Sequence, residues 1–164
     1  MRSSSRRALR LVLAGLAGSF VTLPATADAP PGQYVTFTRE STTIQDSETK
    51  LEWERFFTRT LKTSAQAQTQ CDASFGGLPG RIPTIKELFT IFDEEPHTAY
   101  EFKGYVTRHV HQPAFGDTTG VDRPYWSSTP VTTDPTKVWG FSFADGAMVE
   151  LDASSATAYI RCVR

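Results

Sequence analysis

The chain has 164 residues, 17 Lys+Arg against 18 Asp+Glu, a formal net charge of −1 and 39% hydrophobic residues. Beyond its first ten residues it has no Lys/Arg cluster, which argues against nucleic acid as a partner and against holding polyanions by net charge alone. The length suits one domain with a single core.

In chain order, Arg2, Arg6, Arg7 and Arg10 form a basic start, and an apolar run of about 13 residues follows from Leu11 to Leu23. That run is well short of the roughly 20 residues that span a bilayer. Pro24 and the small residues Ala25-Thr26-Ala27 then make a cleavage region, so residues 1–27 are expected to be a signal peptide. Ser5-Arg6-Arg7-Ala8-Leu9 also resembles a twin-arginine signal, and either route exports the protein to the periplasm, the cell surface or the outside of a bacterium. No cysteine lies near the cut, so no lipid anchor is expected, and the shortness of the apolar run argues against a transmembrane segment. Losing four arginines from the 17 Lys+Arg leaves 13 against 18 Asp+Glu, a net charge of about −5 on some 137 residues.

Residues 28–42 read as a linker, with Pro30-Pro31-Gly32, and a first strand from Tyr34 to Thr38; Thr42-Thr43-Ile44 is also β-prone. The polar turn Asp46 to Lys50 precedes Leu51 to Phe56, whose alternation puts Leu51 and Trp53 on one side, with Trp53 expected in the core. Thr63 or Ser64 can cap a first helix that reaches about Ser74 through Ala65, Ala67 and Cys71. Its apolar stripe is weak, so packing must hold it. Gly76-Gly77-Leu78-Pro79-Gly80 is a stop. Pro83 then disfavours helix before it, and Thr84 with Glu87 forms a capping box. Ile85, Leu88, Phe89 and Phe92 recur at helical spacing, which predicts a second, core-facing helix ending near Asp93-Glu94-Glu95-Pro96. Those acids can be weighed as calcium ligands, but they lack the spaced loop of a dedicated site, and a solvated acidic end is the expectation.

Residues 97–124 lack sustained periodicity and are expected to form a long binding loop. The candidate ligand-binding residues are Tyr105, His109, His111, Asp117, Asp122 and Arg123. His109-Val110-His111 can place two imidazoles on one strand face, but no third ligand stands at metal-site spacing. No metal or cofactor is therefore expected. From Tyr125 to Pro130 the pattern is a short strand. Trp139 to Phe143 alternates with three aromatics on one face, Asp145-Gly146 is a hairpin turn, Ala147 to Leu151 returns, and Tyr159 to Arg164 is a last strand. Two helices followed by short strands predict an α+β domain with antiparallel sheets and its N- and C-terminal strands close together. Cys71 and Cys162, isolated in an oxidising compartment, read as one disulfide closing a loop of about ninety residues, against the alternative of two reactive thiols.

Together these residues resemble one family. Asp46-x-x-Thr49-x-Leu51-x-Trp53, Cys71 in a helix, Arg81-Ile82-Pro83-Thr84-x-x-Glu87-Leu88, Tyr125-Trp126-Ser127-Ser128-Thr129, then Trp139, Phe143 and Gly146, and finally Arg161-Cys162-Val163-Arg164 stand in the order found in the C-terminal domain of bacterial collagen-like adhesins. This is the Lcl C-terminal domain, long known only as a domain of unknown function. The resemblance covers residues 43–164. It implies a C-type-lectin-like fold related to that of the formylglycine-generating enzymes, pairing of Cys71 with Cys162, and an exported, often surface-associated protein; the named adhesin binds sulfated polysaccharides. The chain departs from the pattern in having no collagen-like repeat, a negative net charge, and Lys50 where the family has glycine.

The expected function is an exported, non-catalytic binding or adhesion module that presents the 97–124 loop to a glycan or an envelope or surface protein. Calcium-dependent sugar binding in C-type lectins uses Glu-Pro-Asn or Gln-Pro-Asp with Trp-Asn-Asp. Glu95-Pro96-His97, Gln112-Pro113-Ala114 and Trp126-Ser127-Ser128 fall short of that oxygen set, so binding is expected to be calcium-independent. The alternatives are a structural envelope component and an enzyme of the formylglycine-generating type, which would need reactive cysteines.

Overall fold

The computed structural model describes residues 29–36, 41–56, 60–75, 78–101, 104–111, 114–115 and 120–164. The expected signal peptide, the Gly76-Gly77 stop, Gln112-Pro113 and Asp117 lie outside the described residues.

The N-terminal sheet is antiparallel, with β1 (Tyr34–Val35), β2 (Thr43–Asp46) and β3 (Glu52–Glu54) in that order. Ile44 and Trp53 stand opposite each other and both are buried. The turn between β2 and β3 winds around the buried Asp46. Its carboxylate accepts the Glu48 N–H at 2.9 Å and the Thr49 hydroxyl at 2.7 Å, while its backbone N–H donates to Leu51 O at 2.9 Å. Lys50 is held at φ +64°, a conformation that costs an L-residue roughly 1–2 kcal/mol and a glycine little.

Helix α1 (Ser64–Ala73) starts at Thr63 with a reciprocal box: Thr63 Oγ1 accepts the Gln66 N–H, and Gln66 Oε1 accepts the Thr63 N–H. Only Ala67 and Cys71 are buried, as the weak stripe implies. Helix α2 (Ile85–Thr90) carries the expected box between Thr84 and Glu87, reinforced by a two-pronged Arg81–Glu87 pair at 2.6 and 2.7 Å. The Ile85 N–H, free of any intrahelical partner, donates to Thr129 Oγ1 at 2.9 Å.

The second helix is shorter than its stripe implied. The Ile91 N–H turns back onto Leu88 O, and Phe92 opens strand β4 (Phe92–Glu101). Asp93, Glu94 and Glu95 therefore lie in a strand rather than at a helix end, and the Asp93 carboxylate accepts the Glu95 N–H at 2.9 Å. Nor is the start of the 97–124 stretch an irregular loop. β4 pairs antiparallel with β5 (Gly104–Val110), with Tyr100 opposite Tyr105 and Thr98 opposite Thr107. A register shift between Phe92 and His97, at a stretch containing Pro96 with no N–H to donate, breaks the sequence pattern that would have announced the hairpin.

The third sheet is β6 (Tyr125–Val131), β7 (Asp134–Phe141) and β8 (Met148–Asp152), antiparallel and in that order. Strand β7 begins five residues before the expected Trp139. Phe141 and Phe143 are buried and Trp139 partly so. The expected last strand makes only isolated bridges, Tyr159 with Tyr125 and Val163 with both Trp53 and Arg81. Even so, Glu52 and Arg164 exchange both backbone hydrogen bonds at 2.9 Å, so the chain's end runs beside β3. Cys71 and Cys162 are disulfide-bonded across 91 positions. Loop-closure entropy sets the ceiling on such a staple at roughly 4–5 kcal/mol. The protein is thus α+β, with few helices, small antiparallel sheets and one disulfide.

Lys50→Gly relieves the left-handed strain and is expected to raise unfolding stability by about 1 kcal/mol in a urea titration; an unchanged midpoint would show that the Lys50 Nζ bond to Ser47 O compensates. Glu87 is held below the usual carboxylate range, first by the Arg81 hydrogen bonds and also by the Thr84 N–H. Its contribution is complete above the unfolded carboxylate pKa of roughly 4.3 and is lost as pH falls through its lower folded value. Glu87→Gln should therefore lower stability at neutral pH and flatten the loss on acidification below pH about 4. Parallel acid profiles for the two proteins would contradict this.

Candidate functional site

The hairpin's two faces have different fates. Alternation in β5 turns Arg108 and Val110 inward, where both are buried, and leaves Tyr105, Thr107 and His109 on the outer face. Cross-strand partners share a face, so Tyr100 and Thr98 join them. Near the tip Tyr100 and Tyr105 are 73% and 79% exposed, and their rings meet edge to face with centroids 5.3 Å apart. Behind them the Thr98 and Thr107 hydroxyls are hydrogen-bonded at 2.9 Å. Behind those, the His109 ring stacks on Phe92 at 5.3 Å and 12°, with Nδ1 3.0 Å from Asp93 O. The His109 N–H donates to Phe143 O at 2.9 Å, which ties the hairpin's base to the third sheet.

The aromatic line continues past the hairpin. Phe92 stands edge-on to Phe141 at 5.6 Å and to Phe89 at 6.5 Å. Phe89 and Met148, the latter paired with Phe141, are 43% and 48% exposed. Exposed carboxylates flank this stretch at Glu94, Glu95 and Asp145. Asp145 is held below the usual range, chiefly by the Ser142 hydroxyl, then by the Ala147 N–H, with a smaller pull from His109, and so stays ionised.

The sequence candidates separate in space. Tyr105 and His109 share the hairpin face. His111 lies just past β5, its ring 4.7 Å from that of Tyr34, and borders a separate cleft of about 280 Å³ with Pro31, Tyr34, Ile44, Arg55 and Ala114. The Tyr34 hydroxyl there donates to Thr90 O at 2.8 Å, and burial, with Asp46 and Asp93 nearby, pushes its pKa up so that it keeps its proton. Asp122 and Arg123 are both exposed, and Asp122 also accepts the Tyr159 hydroxyl at 2.9 Å. Asp117 lies outside the described residues. His109 and His111 thus have different neighbours and do not form a pair. Among the described residues no group of three or more His, Cys, Asp or Glu is arranged to hold a metal ion.

Phe89, Phe92, Thr98, Tyr100, Thr107 and Met148 were not anticipated at the site. Only Thr107 among them carried a local signal, in Gly104 to Val110, where strict alternation of Tyr, Thr and His against Val, Arg and Val marks a strand with one wet face.

Gly146 supports this arrangement from below. At φ +74° it makes the β7–β8 turn, and a Cβ there would meet Phe92 Cζ at 2.7 Å. Gly146→Ala is expected to cost about 1–2 kcal/mol in a denaturant titration and to shift the His109 ring resonances as Phe92 moves. Unchanged ring resonances would show that the turn and the aromatic line are independent.

Among known proteins, the family model described as the Lcl C-terminal domain matches residues 42–164. No curated protein and no solved structure matches the chain.

Proposed function

The chain belongs to the Lcl C-terminal domain family, and on that premise we propose that it is an exported, non-catalytic binding module whose β4–β5 face takes a carbohydrate. The observation that carries this reading is the tyrosine pair. Two large rings, each about three-quarters exposed, stand at the end of a hairpin whose own burial is satisfied on the opposite face. Rings with a polar edge and an apolar face suit sugars, whose C–H faces stack on aromatics while their hydroxyls bond to groups beside them. A stable protein interface engages roughly 20–30 residues a side, and this face offers far fewer.

The binding is read as calcium-independent. Ser127 Oγ donates to Trp139 O at 2.6 Å and Ser128 Oγ donates to Pro83 O at 3.3 Å, so the strand that supplies calcium ligands in C-type lectins is committed here to internal bonds. The non-catalytic reading is supported by the disulfide, which leaves neither cysteine as a thiolate for formylglycine-type chemistry. We also read the fold as C-type-lectin-like, because the chain's end returns beside β3 and is stapled to the first helix. The basic, apolar and small-residue succession of residues 1–27 supports export to the bacterial periplasm or surface.

A glycan array probed with wild type, Tyr100→Ala and Tyr105→Ala tests the reading. At least a tenfold loss of retention is expected for each variant, with stability lowered by no more than about 1 kcal/mol, the worth of one cross-strand pair. Retention of no carbohydrate, or variants that bind as wild type does, would refute it, and capture of one defined envelope protein through the same tyrosines would favour the structural alternative.

A further inference from the structure

The aromatic line also has a length and a charge, and both bear on what it can hold. Same-face positions along the hairpin recur every two residues. The tyrosine pair, the threonine pair and His109 are therefore about 6.6–6.8 Å apart in turn, or about 13 Å from first to last. Phe89 extends the line by a further ring contact of 6.5 Å beyond Phe92, and Met148 lies on the neighbouring strand. A single sugar ring covers one of these steps, not all of them. The cleft beside Tyr34 and the one along α1 are lined by other residues, so the aromatic line is a separate, exposed surface.

Charge narrows the choice. Along this line, Phe89, Phe92, Thr98, Tyr100, Tyr105, Thr107, His109 and Met148 include no lysine or arginine, and Arg108 is buried on the inner face. Phe102 and Lys103, between β4 and β5 in the sequence, lie outside the described residues. The ionisable residues on the elements that carry the line include Asp93, Glu94, Glu95 and His97 of β4, His109 of β5, Asp145 of the β7–β8 turn, and Lys86 and Glu87 of α2, where Glu87 is paired with Arg81. Three of these are exposed carboxylates. They repel sulfate and uronate groups, and repulsion of this kind at an exposed site acts over about a Debye length of 10 Å at 0.1 M salt.

Resting on the carbohydrate reading above, we propose that the face binds an internal stretch of an uncharged polysaccharide across several sugar units, and that it excludes sulfated or uronic chains. The tyrosine pair stacks on sugar rings at one end and Phe89 with Met148 does so at the other. Between them the Thr98 and Thr107 hydroxyls supply donors and acceptors without charge.

Affinity electrophoresis of the full chain in gels containing soluble β-glucan, mannan, starch or dextran sulfate, at about 0.02 M and about 0.5 M NaCl, tests this. Retention by a neutral polymer is expected, altered less than twofold by salt and lost in Tyr105→Ala. With oligomers of the retained polymer, affinity should rise more than tenfold from monosaccharide to hexasaccharide. Met148→Ala and Phe89→Ala should each erase the gain from the longest oligomers while leaving the shortest unaffected. Dextran sulfate held through Tyr100 and Tyr105 and released by salt would overturn the neutral, multi-unit proposal but leave the carbohydrate module standing. Equal affinity for monosaccharide and hexasaccharide would overturn the internal-chain proposal. No retention by any polymer would overturn both readings.

Discussion

The last six residues are the wall that the rest of the molecule leans on. Their side chains alternate between two cores: Tyr159 and Val163 join the larger cluster around Trp53, Tyr125 and Phe143, while Ile160 and Cys162 join the smaller one around Cys71, Phe75 and Trp126. Arg161, buried on the first side, donates to Glu54 O and Arg55 O and lies 5.1 Å from the Phe115 ring. Burying a guanidinium is expensive unless its donors are met, and here two of its bonds go from Nη1 to backbone carbonyls at and just past the end of β3. The backbone of the same segment bonds to Glu52, Glu54, Arg81 and Trp126 in turn. One stretch of chain therefore holds together the N-terminal sheet, the segment leading into α2, and β6. The disulfide makes that wall covalent with α1, a helix whose own amphipathic stripe is too weak to keep it in place.

The hairpin depends on this wall at one remove. The third sheet rests on it through the Trp126 N–H, which donates to Tyr159 O. At its far side that sheet holds the base of β5 through Phe143 and meets Phe92 through Gly146 and Phe141. The base is thereby ordered, and the tip carries its two tyrosines out into solvent. Side chains preset on a braced strand lose less conformational entropy on binding than the same groups on a free loop. That is the physical reason to look for ligand recognition along this face rather than at the scattered polar residues beyond it.

Much of the frame was readable from local chemistry. The two boxes at Thr63 and Thr84, the Asp46 turn, the Asp145-Gly146 hairpin and the core place of Trp53 all rest on residues a few positions apart, or on a size and polarity that suit burial alone. The site was less readable. In sequence, residues 97–124 read as one loop, so Tyr105 and His109 stand undistinguished from His111, Asp117, Asp122 and Arg123. The ambiguity begins upstream. Phe92 fits the helical stripe from Ile85 as well as it fits a strand, and the irregular register around Pro96 hid the strand that follows.

Sequence by itself determined the caps, the turns, the α+β class, the family and the disulfide, because each follows from short-range geometry, from an ordered set of motifs or from there being only two cysteines. Tertiary structure decided where α2 stops, since the pairing of β4 with β5 offers Phe92 more than another helical turn would. It decided that Tyr159 to Arg164 is a wall between two cores rather than a strand in a sheet, because its partners come from three separate parts of the chain. And it decided which aromatics meet solvent: Phe141 and Phe143 share the alternating pattern of a core face, while Tyr100 and Tyr105 gain their exposure only from the face of the hairpin on which they fall.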